Sequence, residues 1–168
     1  MNNILCKEIL HRYSCRLFDN SRIVPDEILS TLLIAASMAP SGKNLQPWRF
    51  RIVEDAGFSN RLAEILPNNK WVKNVRQFIL VFLDTSYSYD NSKDSMAIGA
   101  CVENLLIEAA AQSVDTCWIG ECTDYVDFIT NLLDVGAQYK LMSIIAVGYS
   151  KMKSKKVAAR KLLTELLI

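Results

Sequence analysis

Apolar residues recur at helical spacing in "VPDEILSTLLIAASMAP", where Ile28, Leu32, Ala35, Ala36 and Ala39 share one face. Pro25 suits a first turn, Asp26 and Glu27 complement the N-terminal dipole, and Pro40 disfavours helical geometry at Ala39. The pattern therefore predicts a helix that stops before Pro40. "WRFRIVED" alternates instead, Trp48, Phe50 and Ile52 against Arg49, Arg51 and Val53, which predicts a half-buried strand. "QFILVFLD" is apolar without interruption and predicts an interior strand. "DTCWIG" predicts a short strand and "KLMSIIAVGY" another core strand. Helices are predicted over residues 3–13, in "RLAEIL" and in "YVDFITNLLDV", the last with Gly136 as its C-cap. "TSYSYDNSKDS" reads as a polar surface connection.

"MAIGACVENLLIEAAAQ" has helical length, about 25 Å at 1.5 Å per residue, yet its main polar stripe is only Asn104, Glu108 and Gln112. A helix so apolar is buried on most sides, centrally or between subunits. Strands and helices are intermixed without a clean βαβ repeat. The predicted class is α+β, a mixed sheet wrapped by helices, in one domain over 1–168.

Composition narrows the function. Of the 168 residues, 51% are hydrophobic and 22% charged, enough for a core. Nineteen basic against 18 acidic residues leave a formal charge of +1, which gives no electrostatic case for nucleic acid or an anionic membrane. No stretch approaches about 18 uninterrupted apolar residues, and the N-terminus lacks a signal-peptide pattern. The five cysteines include no C-x-x-C, and His11 is the single histidine, so reduced thiols in a cytoplasmic protein are expected and a Cys/His metal site is not.

Several chemistries are missing. The chain has no phosphate loop, no G-x-G-x-x-G turn, no nucleophile elbow, and only one imidazole for a Ser-His pair. What remains is "HRYSCRLF". Arg12, Ser14 and Arg16 share a side if the segment is extended, and Arg12 and Arg16 share a face if it is helical. Two guanidinium forks and a hydroxyl suit a phosphate monoester; the alternative is a solvated arginine pair beside Asp19 or Glu8. "APSGKNLQPW" is the second candidate. Asn44 and Gln46 each offer a donor and an acceptor to the edge of a flat heterocycle, although an asparagine here also suits a left-handed turn.

These stretches carry a resemblance. "RYSCRLFDNSRIVPDEILSTLLIAASMAPSGKNLQPWRFRIV" resembles the N-terminal signature of the nitroreductase-like flavoproteins, R-R-S-x-R-x-F, a helix, then A-P-S-x-x-N-x-Q-P-W. "DSMAIGACVENLLIEAAAQSVDTCWIG" is similar to that family's buried helix and following C-W-I-G, and "LMSIIAVGYS" to its strand ending in G-Y-P. The resemblance implies an intertwined homodimer with FMN between subunits, reduced by NADH or NADPH and oxidised by a nitroaromatic, quinone or similar small acceptor. It implies that Arg12, Tyr13, Ser14 and Arg16 hold the phosphate and ribityl chain, with Arg160 as a late addition. Asn44 and Gln46 would meet the ring edge, the backbone at Ile119 and Gly120 would approach the reactive nitrogen, and Pro40 and Ser41 would contact the partner's flavin. FMN is expected over FAD because no dinucleotide turn is present. Tyr13, Ser113-Val114-Asp115 and Ser150 depart from the family pattern, and a long covering insertion is missing. The alternative of a different class is an FMN store or sensor with little turnover.

Overall fold

The computed structural model describes residues 5–152 and 158–168. Its helices are α1 (Lys7–His11), α2 (Asp26–Ser37), α3 (Ala56–Ile65), α4 (Asn91–Ala111) and α5 (Val126–Leu132). Its strands are β1 (Trp48–Val53), β2 (Gln77–Asp84), β3 (Asp115–Ile119) and β4 (Tyr139–Gly148). The strands form one sheet in the order β1-β2-β4-β3, with β2 and β4 central. Every named pair is antiparallel. This corrects the expected mixed sheet: the parallel pairing among the described residues is an isolated bridge from Ser14 to Thr116, beyond β3.

The sheet buries both faces, which explains why all eight residues of β2 are buried and why its sequence does not alternate. On one face Phe78, Leu80, Phe82, Ile144 and Ala146 pack with Phe58 and Leu62 of α3 and Ile129 of α5. On the other, Ile79, Val81, Ile145 and Val147 pack under Leu29 and Leu32 of α2 and under Cys101, Val102 and Leu105 of α4. Trp48 is the inward anchor of β1, 5% exposed, as its place at the strand's start implies. Ile52, expected to face inward, is half exposed at the sheet edge, and Val53 is buried instead.

Helix boundaries moved where capping chemistry outweighed the apolar pattern. α4 starts at Asn91, inside the stretch expected to be a surface connection, because the Asp90 carboxylate accepts from the Lys93 N–H and caps it. α3 starts at Ala56 because the Asp55 side chain accepts from Gly57 N (2.8 Å) and Phe58 N (3.2 Å). α5 ends before Gly136; Asp134, with φ 50°, takes the left-handed position expected of the glycine. The first helix is only Lys7–His11, and positions 3 and 4 of the expected helix lie outside the described residues. Residues 153–157 of the basic tail lie outside them too, while Leu162, Leu163, Leu166 and Leu167 are all strongly exposed.

The α4 N-terminus is fastened by a buried carboxylate. Asp94, 1% exposed, accepts from Ser88 Oγ at 2.7 Å, Tyr89 N at 3.1 Å and Asp90 N at 3.2 Å. Burial alone would raise its pKa, but these donors, with Lys93 beside them, bring it below the usual carboxylate value of 3.8. A depressed pKa means that this stabilisation is present above the unfolded value and disappears as pH falls through the folded one. Asp94→Asn turns an amide N–H toward these donors and should cost about 1–3 kcal/mol at neutral pH. Thermal melts from pH 7 to pH 3 should show the wild type converging on the variant.

Candidate functional site

The two sequence candidates sit at two stations along α4. At the first, the chain leaves α1 at Arg12, runs past the edge of β3 and is held there by Cys15 N donating to Thr116 O at 2.8 Å. This extended passage puts Arg12, Ser14 and Arg16 beside Cys117. The Ser14 side chain hydrogen-bonds the Cys117 thiol. Burial pushes that thiol up to about 11, while the guanidinium groups of Arg16 and Arg12, both near the sulfur, pull it down. Arg12 is also oriented by Glu103 of α4, Nε to Oε1 at 3.6 Å. Neither Asp19 nor Glu8 pairs with these arginines: Asp19 accepts from Ser21, and Glu8 pairs with Lys7.

Tyr13 points the other way, into the core, where its hydroxyl bonds Ser150 and Cys15 and burial drives its pKa upward. The side chain thus packs against the sheet at the position where a second basic residue was expected. A chain in extended geometry must alternate faces, so Tyr13 and Cys15 go in while Arg12, Ser14 and Arg16 stay out.

At the second station the loop after α2 folds back over the start of α4. Lys43 (φ 54°), Asn44 (φ 55°) and Gln46 (φ 49°) all have left-handed backbone. Non-glycine residues in that region cost roughly 1–3 kcal/mol each and persist where surroundings fix them. The fixing contacts are local: Ser41 Oγ accepts from Gln46 N at 2.9 Å, and Asn44 N donates to Ser41 O at 3.0 Å. Gly42 is required for a steric reason, since a Cβ there would fall among the Tyr89 ring atoms. Asn44 therefore takes the left-handed turn geometry, with its side chain exposed. The Gln46 amide turns back toward Asn44 O at 3.4 Å. Pro40, Ser41 and Gly42 line a groove of about 240 Å³ with Lys93, Met96 and Ala100 of α4.

Beyond β3, Ile119 is buried, and Gly120 opens a tight turn with nothing within 4 Å of the place a Cβ would occupy. Sequence reasoning missed what holds this turn. The Glu121 carboxylate accepts from Asn68 Nδ2 at 2.9 Å and Asn69 Nδ2 at 2.5 Å, and Asn69 Oδ1 accepts from Trp71 Nε1 at 2.9 Å. Partners 52 or 53 positions away leave no local signal in a sequence. Arg160 is engaged in its own tail, donating to the carbonyls of Ala158 and Ala159.

Chemically, the first station gathers two guanidinium groups and a hydroxyl, the Gly120 turn has open space on its Cβ side, and the second station is a groove with an apolar α4 wall. Arg12 lines a small pocket with Leu106 and Ala110 of α4, and Pro40 and Ser41 line the groove at Met96 and Ala100. No group of three metal-ligating side chains occurs among the described residues, and no described helix is long and apolar enough to cross a membrane.

Known proteins share this fold. A model of the nitroreductase family matches residues 9–82 and 66–149. A protein assigned as a nitroreductase from Desulfovibrio desulfuricans, solved in complex with FMN, superposes with a TM-score of 0.90 at 31% identity, covering 100% of this chain and 97% of its own. A protein assigned as an NADH oxidase from Clostridium acetobutylicum gives 0.86 at 26% identity, over 96% and 98% of the two chains. A protein assigned as an NADH dehydrogenase/NAD(P)H nitroreductase from Archaeoglobus fulgidus is 28% identical over 150 residues, 86% of this chain and 84% of its own.

Proposed function

The chain belongs to the nitroreductase family, and from that premise we propose that it is an FMN-dependent oxidoreductase. It passes electrons from NADH or NADPH to a nitroaromatic, quinone or similar small acceptor. The observation that carries this reading is the convergence of Arg12, Ser14 and Arg16 at Cys117, a donor set for a phosphate monoester and not for a metal. The residues fit FMN: two forked cations for the phosphate, an open backbone at Gly120 for the ring, and a groove beside Pro40 and Ser41.

When bound, FMN supplies the two-electron chemistry between hydride donor and acceptor. The chain's part is placement. Arg12 and Arg16 hold the dianion, and Glu103 fixes the angle of the Arg12 fork. Ser14 adds a hydroxyl donor. The Glu121 clamp to Asn68 and Asn69 holds the Gly120 turn, whose backbone would approach the ring without needing to reorganise. The site needs no nucleophile or acid–base dyad, which fits their absence from the described clusters.

The two stations belong to two sites in a homodimer. Each copy gives Arg12, Ser14 and Arg16 to its own cofactor, and Pro40 and Ser41 to its partner's. What supports this is the set of exposed apolar residues on α2, just beyond its end and on α4, Ile34, Met38 and Met96.

The purified protein should be yellow and hold one non-covalent FMN per chain. Anaerobic titration with NADH or NADPH should then bleach its visible band, and turnover should follow with menadione. A colourless protein that takes up no added FMN at micromolar concentration overturns the reading. A yellow protein that no nicotinamide donor bleaches makes it an FMN store or sensor instead.

A further inference from the structure

We infer that Lys43 and Lys93 form the recognition point for the phosphate-bearing part of the nicotinamide dinucleotide donor, which rests on the flavoenzyme reading above. Both ammonium groups lie over one ring: Lys43 Nζ is 4.8 Å and Lys93 Nζ 5.4 Å from the centroid of Tyr89. The ring packs directly against Gly42, where a Cβ would fall among its atoms. Lys43 reaches it from a left-handed backbone that the contacts of Ser41 hold in place.

Two cations on one exposed ring repel each other until an anion joins them. Their neighbours do little to offset this. Asp90 Oδ2 is 4.0 Å from Lys93, with both side chains well exposed, so the pair is weak. Asp94 is buried and already accepts from Ser88, Tyr89 and Asp90. Lys93 stands at one end of the groove beside Pro40 and Ser41, and Lys43 follows directly on Gly42, another of its lining residues. At the other end the lining is Met96, Ala97 and Ala100, and the α4 rise separates Ala100 from Lys93 by about 10 Å.

An apolar end beside the flavin loop and a dicationic end one dinucleotide arm away suit a flat ring joined through ribose to phosphate. Neutral quinones and nitroaromatics carry no group for the cationic end. The lysines therefore select the donor and leave the acceptor alone.

The test is the Lys43→Ala/Lys93→Ala double variant, as FMN-loaded enzyme. Its far-UV circular dichroism should match the wild type, the kinetics are compared at saturating FMN, and the wild-type spectrum tests the flavoenzyme reading separately. KM for NADH and NADPH should rise roughly tenfold or more, with kcat falling far less and KM for menadione unchanged. Equilibrium titration with NADP+ should weaken by a similar factor and lose part of its salt dependence. Lys43→Arg/Lys93→Arg should restore both. Unchanged donor KM and NADP+ affinity overturn the inference. So does a change confined to KM for an anionic acceptor such as 4-nitrobenzoate, which would make the lysines acceptor contacts.

Discussion

Arg16→Ala should lower FMN affinity ten- to a hundredfold and leave thermal unfolding of the apoprotein unchanged. Arg16 is exposed, so truncating it opens no cavity and orphans no buried partner. Substitutions at such positions usually move stability by no more than about 0.5 kcal/mol. A charge-assisted hydrogen bond to phosphate is worth about 1.5–3 kcal/mol, which is the stated range in affinity. Arg12→Ala should act similarly with a small added effect on packing, because Arg12 is partly buried and tied to Glu103. The discriminating ligand is riboflavin, which has the ring and ribityl chain but no phosphate. Its affinity should be the same in wild type and variant. Equal loss for FMN and riboflavin would mean that Arg16 shapes the protein and does not hold the phosphate, and unchanged FMN affinity would remove it from the site.

That Arg12, Ser14 and Arg16 share a side was legible in the sequence because an extended segment has a fixed period, and the Ser14 bridge to Thr116 makes this segment extended. β2 was legible because a strand covered on both faces has no reason to alternate. The limits of α4 and α5 were not, since Asp90 and Asp134 decide them through single hydrogen-bonding or left-handed positions that periodicity does not weigh. The left-handed run at Lys43, Asn44 and Gln46 was only half legible: the turn residues were plain, but Lys43 and Gln46 are ordinary side chains that Gly42 and Ser41 force into place. The Glu121 clamp and the Tyr89 platform join residues far apart or in loops of no pattern, and only the folded chain brings them together. Sheet parity also escaped, because α+β composition permits either sense and the parallel contact is a single bridge.

Sedimentation at micromolar concentration should show a dimer, and its dissociation should release FMN. The argument begins with α4. Arg12 meets it at Glu103 and the Pro40 loop meets it at Met96 and Ala100, residues one and two turns apart along one exposed face. Gly99, on that same face, has open space where a Cβ would point. Met96 is 73% exposed, and Ile34 of α2 and Met38, just beyond its end, are 64% and 77% exposed. Large apolar side chains gathered at this density call for covering, and on the proposed reading a second copy would supply both the cover and the other half of the cofactor site. Met96→Glu places two carboxylates in that interface and should yield a monomer with native far-UV circular dichroism. It should have lost FMN although Arg12, Ser14 and Arg16 are untouched. Should the variant fail to fold, dilution of the wild type gives the same reading, with flavin fluorescence rising as the dimer dissociates. A 19.0 kDa monomer that keeps its FMN on dilution would mean that one chain completes the site alone, and the division of the stations between two copies would be wrong.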